Sequence, residues 1–152
     1  MAGLFQKAWT EVMDPFLRRP KRVQVAALCY RRTKKGKEIL LITSRDTGRW
    51  IIPKGWPIDG KNAAGAAAQE AWEEAGVKEG QVANNAIGSY EYRKELNTGG
   101  NTICETQVFP LEVSALSEDF PESDERERKW VSPVKAAGMV QEPELQDILR
   151  TF

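Results

Sequence analysis

The chain of 152 residues contains no histidine. Ser-His-Asp and Cys-His catalytic groups and His-ligated zinc sites are therefore excluded, because each of them requires an imidazole. Any chemistry that this protein performs must come from carboxylates, Lys, Arg, Tyr, Ser or a bound metal ion.

Cysteine is scarce, and the charges of the chain cancel. Cys29 and Cys104 are the two cysteines, and both lie in apolar-rich segments. We interpret them as buried free thiols in a reducing compartment rather than as a disulfide. The 22 basic and 22 acidic residues give a net charge of +0. No global field draws such a chain to nucleic acid or to an anionic membrane, although a locally basic pocket is still allowed.

Long apolar runs are missing as well. No run reaches the ~18 residues that a membrane-spanning helix needs. Residues 1–20 also lack the charged-then-apolar layout of a signal peptide. We therefore predict a cytoplasmic protein with neither membrane nor nucleic acid as a partner.

The composition, 41% hydrophobic and 29% charged, is typical of one globular domain. We assign this domain to residues 21–152. Residues 1–20 carry apolar side chains at helical spacing until Pro15, which predicts an N-terminal amphipathic helix or arm. The preferred interpretation is a helix or arm packed on the domain, and a membrane-surface or dimer element is the alternative.

The order of the predicted elements indicates an α/β (α+β) fold. Three strands are predicted first, in "VQVAALCYRR", "EILLITSR" and "RWII". The loop "PKGWPIDGKN" follows, and Asn62 is the predicted N-cap of a helix over 63–75.

The second half of the chain completes the sheet. Two strands are predicted over 86–95 and 102–113, followed by the polar loop "SEDFPESDERER" and the short strand "KWVS". Two closing helices are predicted to begin at Pro133 and Pro143. Together these elements predict a mixed sheet that is flanked by helices.

Three glutamates crowd the last turn of the helix predicted over 63–75. Glu70, Glu73 and Glu74 share one helical face, and Gly76 is a natural stop. The helix macrodipole disfavours anions at this end, and Glu70 and Glu74 repel each other at i,i+4. One interpretation is an ordinary solvated glutamate face. The other is a site for Mg²⁺ or Mn²⁺, because a dication with oxygen ligands would reverse both penalties.

The segment "GWPIDGKNAAGAAAQEAWEEAGV", residues 55–77, resembles the Nudix box, G-x5-E-x7-R-E-U-x-E-E-x-G-U with U aliphatic. The family's positions are occupied without a gap by Gly55, Glu70, Glu73, Glu74, Gly76 and Val77, with Ala71 at the first U. The strand order on both sides is also similar to that of the family. The resemblance implies the Nudix α/β/α sandwich with a mixed central sheet, and it favours the metal site.

Two positions depart from the box. Lys61 stands where the family has Glu, and Gln69 stands where it has Arg. In the family this pair supports the catalytic glutamates, and a charge-assisted hydrogen bond lost there would matter by ~1.5–3 kcal/mol. Both members are replaced together, Gln69 can still donate through its amide, and Lys61 could reach a carboxylate. We therefore expect an altered support shell rather than a dead site.

The resemblance implies a hydrolase that cleaves a phosphoanhydride bond in a nucleoside diphosphate derivative or a related polyphosphate. It implies that Glu70, Glu73 and Glu74 are catalytic and bind Mg²⁺ or Mn²⁺, with the Gly55 carbonyl as a further ligand. Such cations neutralise phosphate oxygens and lower the pKa of a bound water.

The motif does not settle which carboxylate accepts the proton of the attacking water. Glu70 is one candidate. An acid of the loop over 118–127, such as Glu122 or Glu125, is another, since members of the family sometimes recruit the base from the loop before the last strand.

The segments "RWIIPKGWP", "KRVQVAALCYRR" and "ILLITSR" are similar to diphosphoinositol polyphosphate and diadenosine polyphosphate phosphohydrolases of the family. Those proteins carry basic residues on the first strands and just before the last strand. The positions that could match and bind substrate are Arg22, Ser44, Arg45, Lys54, Arg128 and Lys129. Taken alone, each of them is more simply a solvated surface residue, except Lys54, which lies in the loop beside the predicted metal site. Several cations around a metal site suit a highly anionic small molecule. Trp50 and Trp56 could stack a base or serve as packing residues.

Two functions are compatible with this pattern. The first is a metal-dependent phosphoanhydride hydrolase acting on a small-molecule polyphosphate. The alternative, motivated by Lys61 and Gln69, is a module that binds a nucleotide or polyphosphate without cleaving it. RNA decapping is disfavoured, because no basic stripe or aromatic RNA-binding motif is present. A monomer and a homodimer are both compatible with the sequence.

Overall fold

The computed structural model describes residues 22–96 and 99–152. The strands in this part of the chain are β1 (Arg22–Thr33), β2 (Gly36–Thr43), β3 (Trp50–Ile51), β4 (Lys54–Gly55), β5 (Val77–Val82), β6 (Gly88–Glu95), β7 (Asn101–Leu116) and β8 (Arg128–Val131). The helices are α1 (Ala63–Ala75), α2 (Pro133–Met139) and α3 (Pro143–Thr151). None of these described helices is long and apolar enough to cross a membrane. The amphipathic helix or arm predicted for residues 1–20 lies outside the described residues, and the domain division stays a prediction.

The strands form one mixed sheet in the order β3-β2-β1-β7-β5. β1 and β7 run parallel at its centre, and the other pairs are antiparallel. β6 pairs with the first half of β7, and β8 pairs with β2. β4 pairs with β1 through Val25↔Gly55 and Ala26↔Lys54. This short pairing draws the segment after β3 back against the sheet and places its backbone beside α1.

Helices cover both faces of the sheet. α1 packs on one face, against a cluster that includes Val25, Leu40 and Phe109. α2 and α3 cover the other face, where Leu28 and Tyr90 are buried. Because β1 and β2 have no solvent side along their central residues, their sequences are nearly continuous apolar runs. The α/β/α sandwich with a mixed central sheet that the sequence predicted is confirmed.

The helix α1 begins and ends where the sequence predicts. The Asn62 side chain accepts a hydrogen bond from the Gly65 N–H at 2.7 Å and caps the first turn. Gly76 ends the helix in the left-handed conformation, with φ 71°. A Cβ at that position would overlap the Phe120 side chain, so both backbone and space require glycine.

One strand, β5, is not predicted from the sequence. Val77 is buried at its start, but the next four residues of "VKEGQV" are exposed. β5 lies at the edge of the sheet and pairs with β7 through backbone hydrogen bonds, with two register shifts. A polar edge strand has no apolar alternation, and so the pattern that predicted the other long strands is absent. The two residues of β4 likewise fall in a segment that was predicted to be a loop.

Both cysteines are buried and free, as the sequence predicted. Burial raises the pKa of Cys29 to about 12, with a smaller contribution from the negative charge of Glu74. A thiol in this state carries little thiolate, so Cys29 is a packing residue rather than a nucleophile.

Candidate active site

A cavity of about 600 Å³ opens where α1, β4, β6, the loop after β2 and the loop over 117–127 meet. This volume lies in the range of small-ligand sites. One wall is acidic and is formed by Glu70, Glu74 and Glu122. The basic side chains that line the cavity are Arg45, Arg49, Lys54, Arg93, Lys94 and Arg126. These six basic side chains, the basic wall, share the cavity with Asp46 and Glu95 as well as with the acidic wall. Acidic and basic groups in one cavity suit a cation and a polyanion that bind side by side.

α1 supplies two acids of this wall. Glu70 and Glu74 stand one helical turn apart and both line the cavity. Glu74 is 5% exposed, and one of its carboxylate oxygens accepts from the Lys54 backbone N–H at 3.4 Å. The Glu70 carboxylate rests against Gly55, where any Cβ would overlap its carbon and both oxygens. Glycine at position 55 therefore lets the β4 backbone approach Glu70.

These two carboxylates resist ionisation. Burial raises the pKa of Glu70 to about 8, and the charges of Glu74 and Glu73 add to the effect. Burial also raises the pKa of Glu74, while the positive charges of Arg126 and Lys54 act in the opposite direction. The pair is therefore short of positive charge near neutral pH.

The donor atoms fit a hard divalent cation. Glu70 and Glu74 offer carboxylate oxygens beside the Gly55 backbone, and Mg²⁺ or Mn²⁺ prefers such ligands. A cation there would stabilise the ionised forms of both carboxyls, which burial disfavours. Within residues 22–96 and 99–152, no three Cys, Asp or Glu side chains converge as a ready-made metal cluster. An ion would therefore also draw on backbone and water oxygens.

Glu73 is directed elsewhere. One of its carboxylate oxygens accepts from the Gln69 side-chain amide at 3.2 Å, one turn back along α1. Its backbone carbonyl accepts from the Glu122 N–H at 3.0 Å. The structure thus brings two of the three predicted metal-binding glutamates to the cavity, whereas the third is hydrogen-bonded to Gln69 and does not line it. A ligand role for Glu73 stays a prediction.

The loop over 117–127 adds an ion-pair network to the acidic wall. Arg126 Nη2 lies 3.0 Å from Glu122 Oε1 and 3.5 Å from Glu74 Oε1. The Arg126 side chain is 7% exposed. Of the two loop acids suggested as general base, Glu122 lines the cavity, whereas Glu125 is half-exposed and does not.

Three of the predicted substrate-binding residues, Ser44, Arg45 and Lys54, line the cavity. Ser44 begins the turn after β2, where its N–H donates to the Arg49 carbonyl at 2.8 Å. Arg45 is largely exposed, and its guanidinium lies 3.5 Å from a Glu122 carboxylate oxygen. Its loose pairing leaves Arg45 able to bind an incoming anion.

Lys54 brings a buried ammonium to the cavity. This ammonium lies over the Tyr92 ring, 5.0 Å from the centroid. Burial lowers the pKa of Lys54 to about 8, and the negative charge of Glu74 acts in the opposite direction. The Tyr92 hydroxyl in turn donates to the Gln24 side-chain carbonyl. Within residues 22–96 and 99–152, the Lys54 ammonium forms no ion pair with a carboxylate, so a bound phosphate would stabilise its charge.

Aromatic and basic side chains alternate at the rim. Trp56 is 37% exposed, with the Arg22 guanidinium 5.9 Å and the Lys94 ammonium 5.1 Å from its ring centroids. Arg22, a predicted substrate-binding residue, reaches the rim through Trp56 and does not line the cavity itself. Trp50 is partly buried against the core on the α2 and α3 face. Of the two tryptophans, Trp56 is the one placed to stack on a ligand, and Trp50 is a packing residue.

Arg128 and Lys129 do not line the cavity, and substrate binding by these two residues stays a prediction. Arg128 donates to the carbonyls of Ala75 and Ser117 at 3.0 Å each. These carbonyls hold its guanidinium at the end of α1. Lys129 is exposed on β8, where it pairs with Leu41.

Lys61 and Gln69 lie on the far side of α1. They line a second groove of about 560 Å³ together with Trp72 and Lys78. Lys61 is exposed and makes no ion pair with any residue that the structure describes. Lys61 faces this groove, and the suggestion that it could reach a carboxylate stays a prediction. In the part of the chain that the structure describes, the Gln69 side chain donates only to Glu73.

Several lining residues were missed by sequence reasoning, namely Gln24, Arg49, Tyr92, Arg93, Lys94, and Arg126. One sequence feature could have indicated Arg126, namely its place among the basic residues just before the last strand, where the family resemblance predicts substrate-binding cations. In "DERERKWV" that expectation pointed to Arg128 and Lys129, whereas Arg126 enters the cavity. The β6 residues carried no signal, because a strand of mixed polarity does not reveal which end borders a cavity.

Comparison with known proteins matches residues 20–152 to the NUDIX domain. The chain is 37% identical over 136 residues to Nudix hydrolase 21, chloroplastic, of Arabidopsis thaliana. This alignment covers 86% of this chain and 66% of the relative. It is 32% identical over 120 residues to human diphosphoinositol polyphosphate phosphohydrolase 3-beta, covering 78% and 68%. The chain spans only 58–66% of the length of three plant relatives.

A solved structure shows the same fold. The C. elegans Ap4A hydrolase superposes with a TM-score of 0.60, covering 88% of this chain and 96% of that chain. At 20% identity this likeness concerns the arrangement of helices and strands. It agrees with the α/β/α sandwich described above.

Proposed function

This chain belongs to the Nudix family, and we propose that it is a metal-dependent pyrophosphohydrolase that cleaves a phosphoanhydride bond. One observation carries the proposal. Glu70, Glu74 and the Gly55 backbone meet at a cavity whose other wall is basic. Two acids with raised pKa values are a costly arrangement for a passive binding site, and a dication removes that cost.

In this proposal Glu70 and Glu74 hold Mg²⁺ or Mn²⁺, and the Gly55 carbonyl is a further ligand. When bound, such an ion neutralises phosphate oxygens and lowers the pKa of a coordinated water. Glu73 remains a predicted further ligand, and its backbone carbonyl accepts from the Glu122 N–H at 3.0 Å, which ties the loop to the end of α1.

The basic wall binds and orients the remaining phosphate charge. Arg45 offers a planar fork that matches phosphate oxygens, and Lys54 offers a point charge in the same cavity. Ser44 adds a hydroxyl beside Arg45, and Trp56 offers an exposed ring face for a base or a sugar. Polyanions with charge on both sides of the cleaved bond suit this layout.

A carboxylate must accept the proton of the attacking water, since the chain has no histidine. Glu70 and Glu122 are the two candidates that line the cavity. Glu122 replaces Glu125 as the better loop candidate, because Glu125 is half-exposed and pairs with Arg45 at 3.7 Å.

The substrate class that we propose is diphosphoinositol polyphosphates or dinucleoside polyphosphates. The names of the human relative and of the C. elegans neighbour point to these two classes. The number of cations around the cavity supports a highly charged ligand over a simple nucleoside diphosphate derivative.

A non-hydrolysing polyphosphate-binding module is the alternative, motivated by Lys61 and Gln69. Both residues line the far groove, whereas Glu70 and Glu74 keep their places in the cavity. The geometry therefore favours turnover over binding alone.

The test is phosphate release from dinucleoside polyphosphates, ADP-ribose and diphosphoinositol polyphosphates with Mg²⁺ or Mn²⁺. We expect turnover of at least one highly charged substrate and its loss in EDTA. Tight binding without turnover would favour the module, and neither binding nor turnover would overturn both functions. A cytoplasmic location stays a prediction, since the plant relatives are named chloroplastic or mitochondrial. The oligomeric state, a monomer or a homodimer, also stays a prediction.

A further inference from the structure

The acidic wall of the cavity is built from two separate segments of the chain. Glu70 and Glu74 belong to α1, and Glu122 belongs to the loop over 117–127. Glu74 is 5% exposed and the Glu122 side chain is 20% exposed, so water screens their charges poorly. Without a countercharge, the ionised acids of the two segments would repel each other across the junction between the loop and the helix.

Arg126 lies between these two segments. Its Nη2 is 3.0 Å from Glu122 Oε1 and 3.5 Å from Glu74 Oε1, and its Nε also donates to Glu122 Oε1 at 3.2 Å. The fork geometry of a guanidinium allows one side chain to contact both acids, which an ammonium cannot do as well.

The position of Arg126 is fixed by the end of β2. Its Nη1 donates to the Thr43 carbonyl at 2.9 Å. The Thr43 N–H donates to the Glu127 carbonyl at 3.1 Å, and the Glu127 N–H donates to Thr43 Oγ1 at 2.9 Å. Three hydrogen bonds to Thr43 therefore anchor both the Arg126 guanidinium and the backbone of the next residue, Glu127. Arg126 is an anchored side chain rather than a mobile surface charge.

The other basic side chains near the cavity do not bridge the acids of α1 and of the loop. The Lys54 ammonium lies over Tyr92. Arg45 is 57% exposed, and its ion pairs with described residues are to Glu122 and Glu125 of the loop. Lys61 faces the far groove, and the Gln69 amide donates to Glu73 rather than to Glu74 or Glu122. Among the described residues, Arg126 is the one cationic side chain within ion-pair distance of acids from both segments.

We infer that Arg126 is a positioning residue, which joins Glu74 to Glu122 and holds the acidic wall together in the metal-free protein. It supplies the support that Lys61 and Gln69 do not give to these acids. Its effect on catalysis rests on the proposed function, whereas its effect on the metal-free acids does not.

Thermal unfolding of Arg126→Gln in EDTA and in saturating Mn²⁺ tests the countercharge. In EDTA we expect Tm to fall by about 6 °C or more, because two buried acids lose their partner. In Mn²⁺ the fall should shrink by at least about half, since the dication replaces the lost charge. A purely structural clamp would lower Tm equally in both conditions.

Kinetics of Arg126→Gln and Arg126→Lys separate charge from geometry. With Gln we expect kcat to fall about 10–100-fold and KM to change by less than about threefold. Lys keeps the charge but loses the fork, so it should restore most of Tm in EDTA and leave kcat low. A rise in KM without loss of kcat would instead mark Arg126 as a substrate contact.

Arg150→Gln is the control, since Arg150 pairs with Asp147 on the exposed surface of α3 at 2.8 Å. It should leave Tm and kcat unchanged. Equal loss of Tm in Arg126→Gln with and without Mn²⁺, or normal Tm in EDTA, would overturn the inference. If no substrate is turned over by the wild-type protein, the proposed function fails, and the Tm comparison still decides the role of Arg126.

Discussion

Glu70 is the residue whose ionisation most directly links the fold to the proposed chemistry. Burial raises its pKa from 4.5 to about 8, with Glu74 and Glu73 as further causes. A carboxyl whose pKa is raised by folding contributes stability that is full below its ordinary pKa. That contribution is lost as the pH rises through the raised value. The metal-free protein should therefore lose stability between about pH 5 and pH 8.

Glu70→Gln should reduce this pH dependence, because an amide does not titrate. The measurement is the free energy of unfolding in EDTA at pH 5 and pH 8, for the wild type and the variant. We expect a smaller decrease in the variant, and Mn²⁺ should restore stability to the wild type at pH 8. The same decrease in both proteins would show that Glu70 is not its source.

Glu74→Gln should separate the chemical from the structural role of the second acid. Turnover should fall by about 10²-fold or more, because a metal ligand is lost. Tm in EDTA should stay unchanged or rise slightly, since a neutral amide replaces a carboxylate whose ionisation is disfavoured by burial. Arg126 keeps Glu122 as its partner. A large loss of Tm in EDTA would mean that Glu74 is mainly a structural ion-pair partner.

At the residue scale, the sequence predicted the part of the site that depends on local spacing. Gly55, Glu70 and Glu74 meet because the Nudix box fixes them along one loop and one helix. The place of Arg126 depends instead on a hydrogen bond to Thr43, 83 residues away in the chain. An arginine in an acidic loop gives no local signal of such a contact.

At the scale of elements, α1 and the loop over 117–127 behave as one unit. The Ser117 N–H donates to the Gly76 carbonyl at 2.8 Å, and the Glu122 N–H donates to the Glu73 carbonyl at 3.0 Å. Arg128 adds a positive charge at the Ala75 carbonyl. These donors satisfy carbonyls at the helix end and oppose the negative end of its dipole. The crowded glutamates are thus tolerated where an isolated helix would be destabilised.

Rebuilding the two departed positions of the box should change little. In Lys61→Glu with Gln69→Arg, we expect kcat to stay within about threefold of the wild type or to rise, because Arg126 already supports Glu74. Steady-state kinetics on the best substrate of the panel checks this. Loss of activity would show that Lys61 or Gln69 has acquired a role that the contacts of the metal-free structure do not reveal.

The helices and strands were predicted correctly where buried positions produce a regular apolar pattern in the sequence. β1, β2 and α1 are indicated by apolar runs and by the Asn62 and Gly76 caps. β5 was missed because its stability comes from backbone pairing at the sheet edge, with exposed polar side chains. Strands of that kind are specified by the neighbour that they pair with, which local sequence does not contain.

At the scale of the whole molecule, both faces of the sandwich contribute to the cavity. α1 supplies the acids from one face, and α3 reaches the basic wall from the other. Arg49 lines the cavity, and its Nη1 donates to Glu142 at 2.8 Å, just before α3. Glu142 is 8% exposed. A net charge of +0 therefore conceals a division of charge that the fold creates.

Glu142→Gln should weaken the coupling between α3 and the basic wall. Loss of this charged hydrogen bond should cost about 1.5–3 kcal/mol of unfolding free energy. A fall of Tm by about 3–10 °C would correspond to that cost. KM should also rise, since Arg49 loses its anchor, while Mn²⁺ affinity stays the same. Unchanged Tm and KM would show that the pair is dispensable.

The overall architecture was predictable for two reasons. The central strands are apolar on both sides, and the Nudix box is recognisable in the sequence. The convergence of the walls was not, since Arg49, Arg93 and Arg126 come together in the cavity only when distant elements pack. The local pattern specifies most of the acidic wall, whereas its basic counterpart is assembled mainly by the fold.

The most direct measurement is an anomalous difference map from crystals of the full chain soaked in Mn²⁺. The account predicts a peak at a coordination distance of about 2.1–2.5 Å from carboxylate oxygens of Glu70 and Glu74, near the Gly55 carbonyl. A map with no peak beside these glutamates, under conditions that saturate other Mn²⁺ sites, would contradict it.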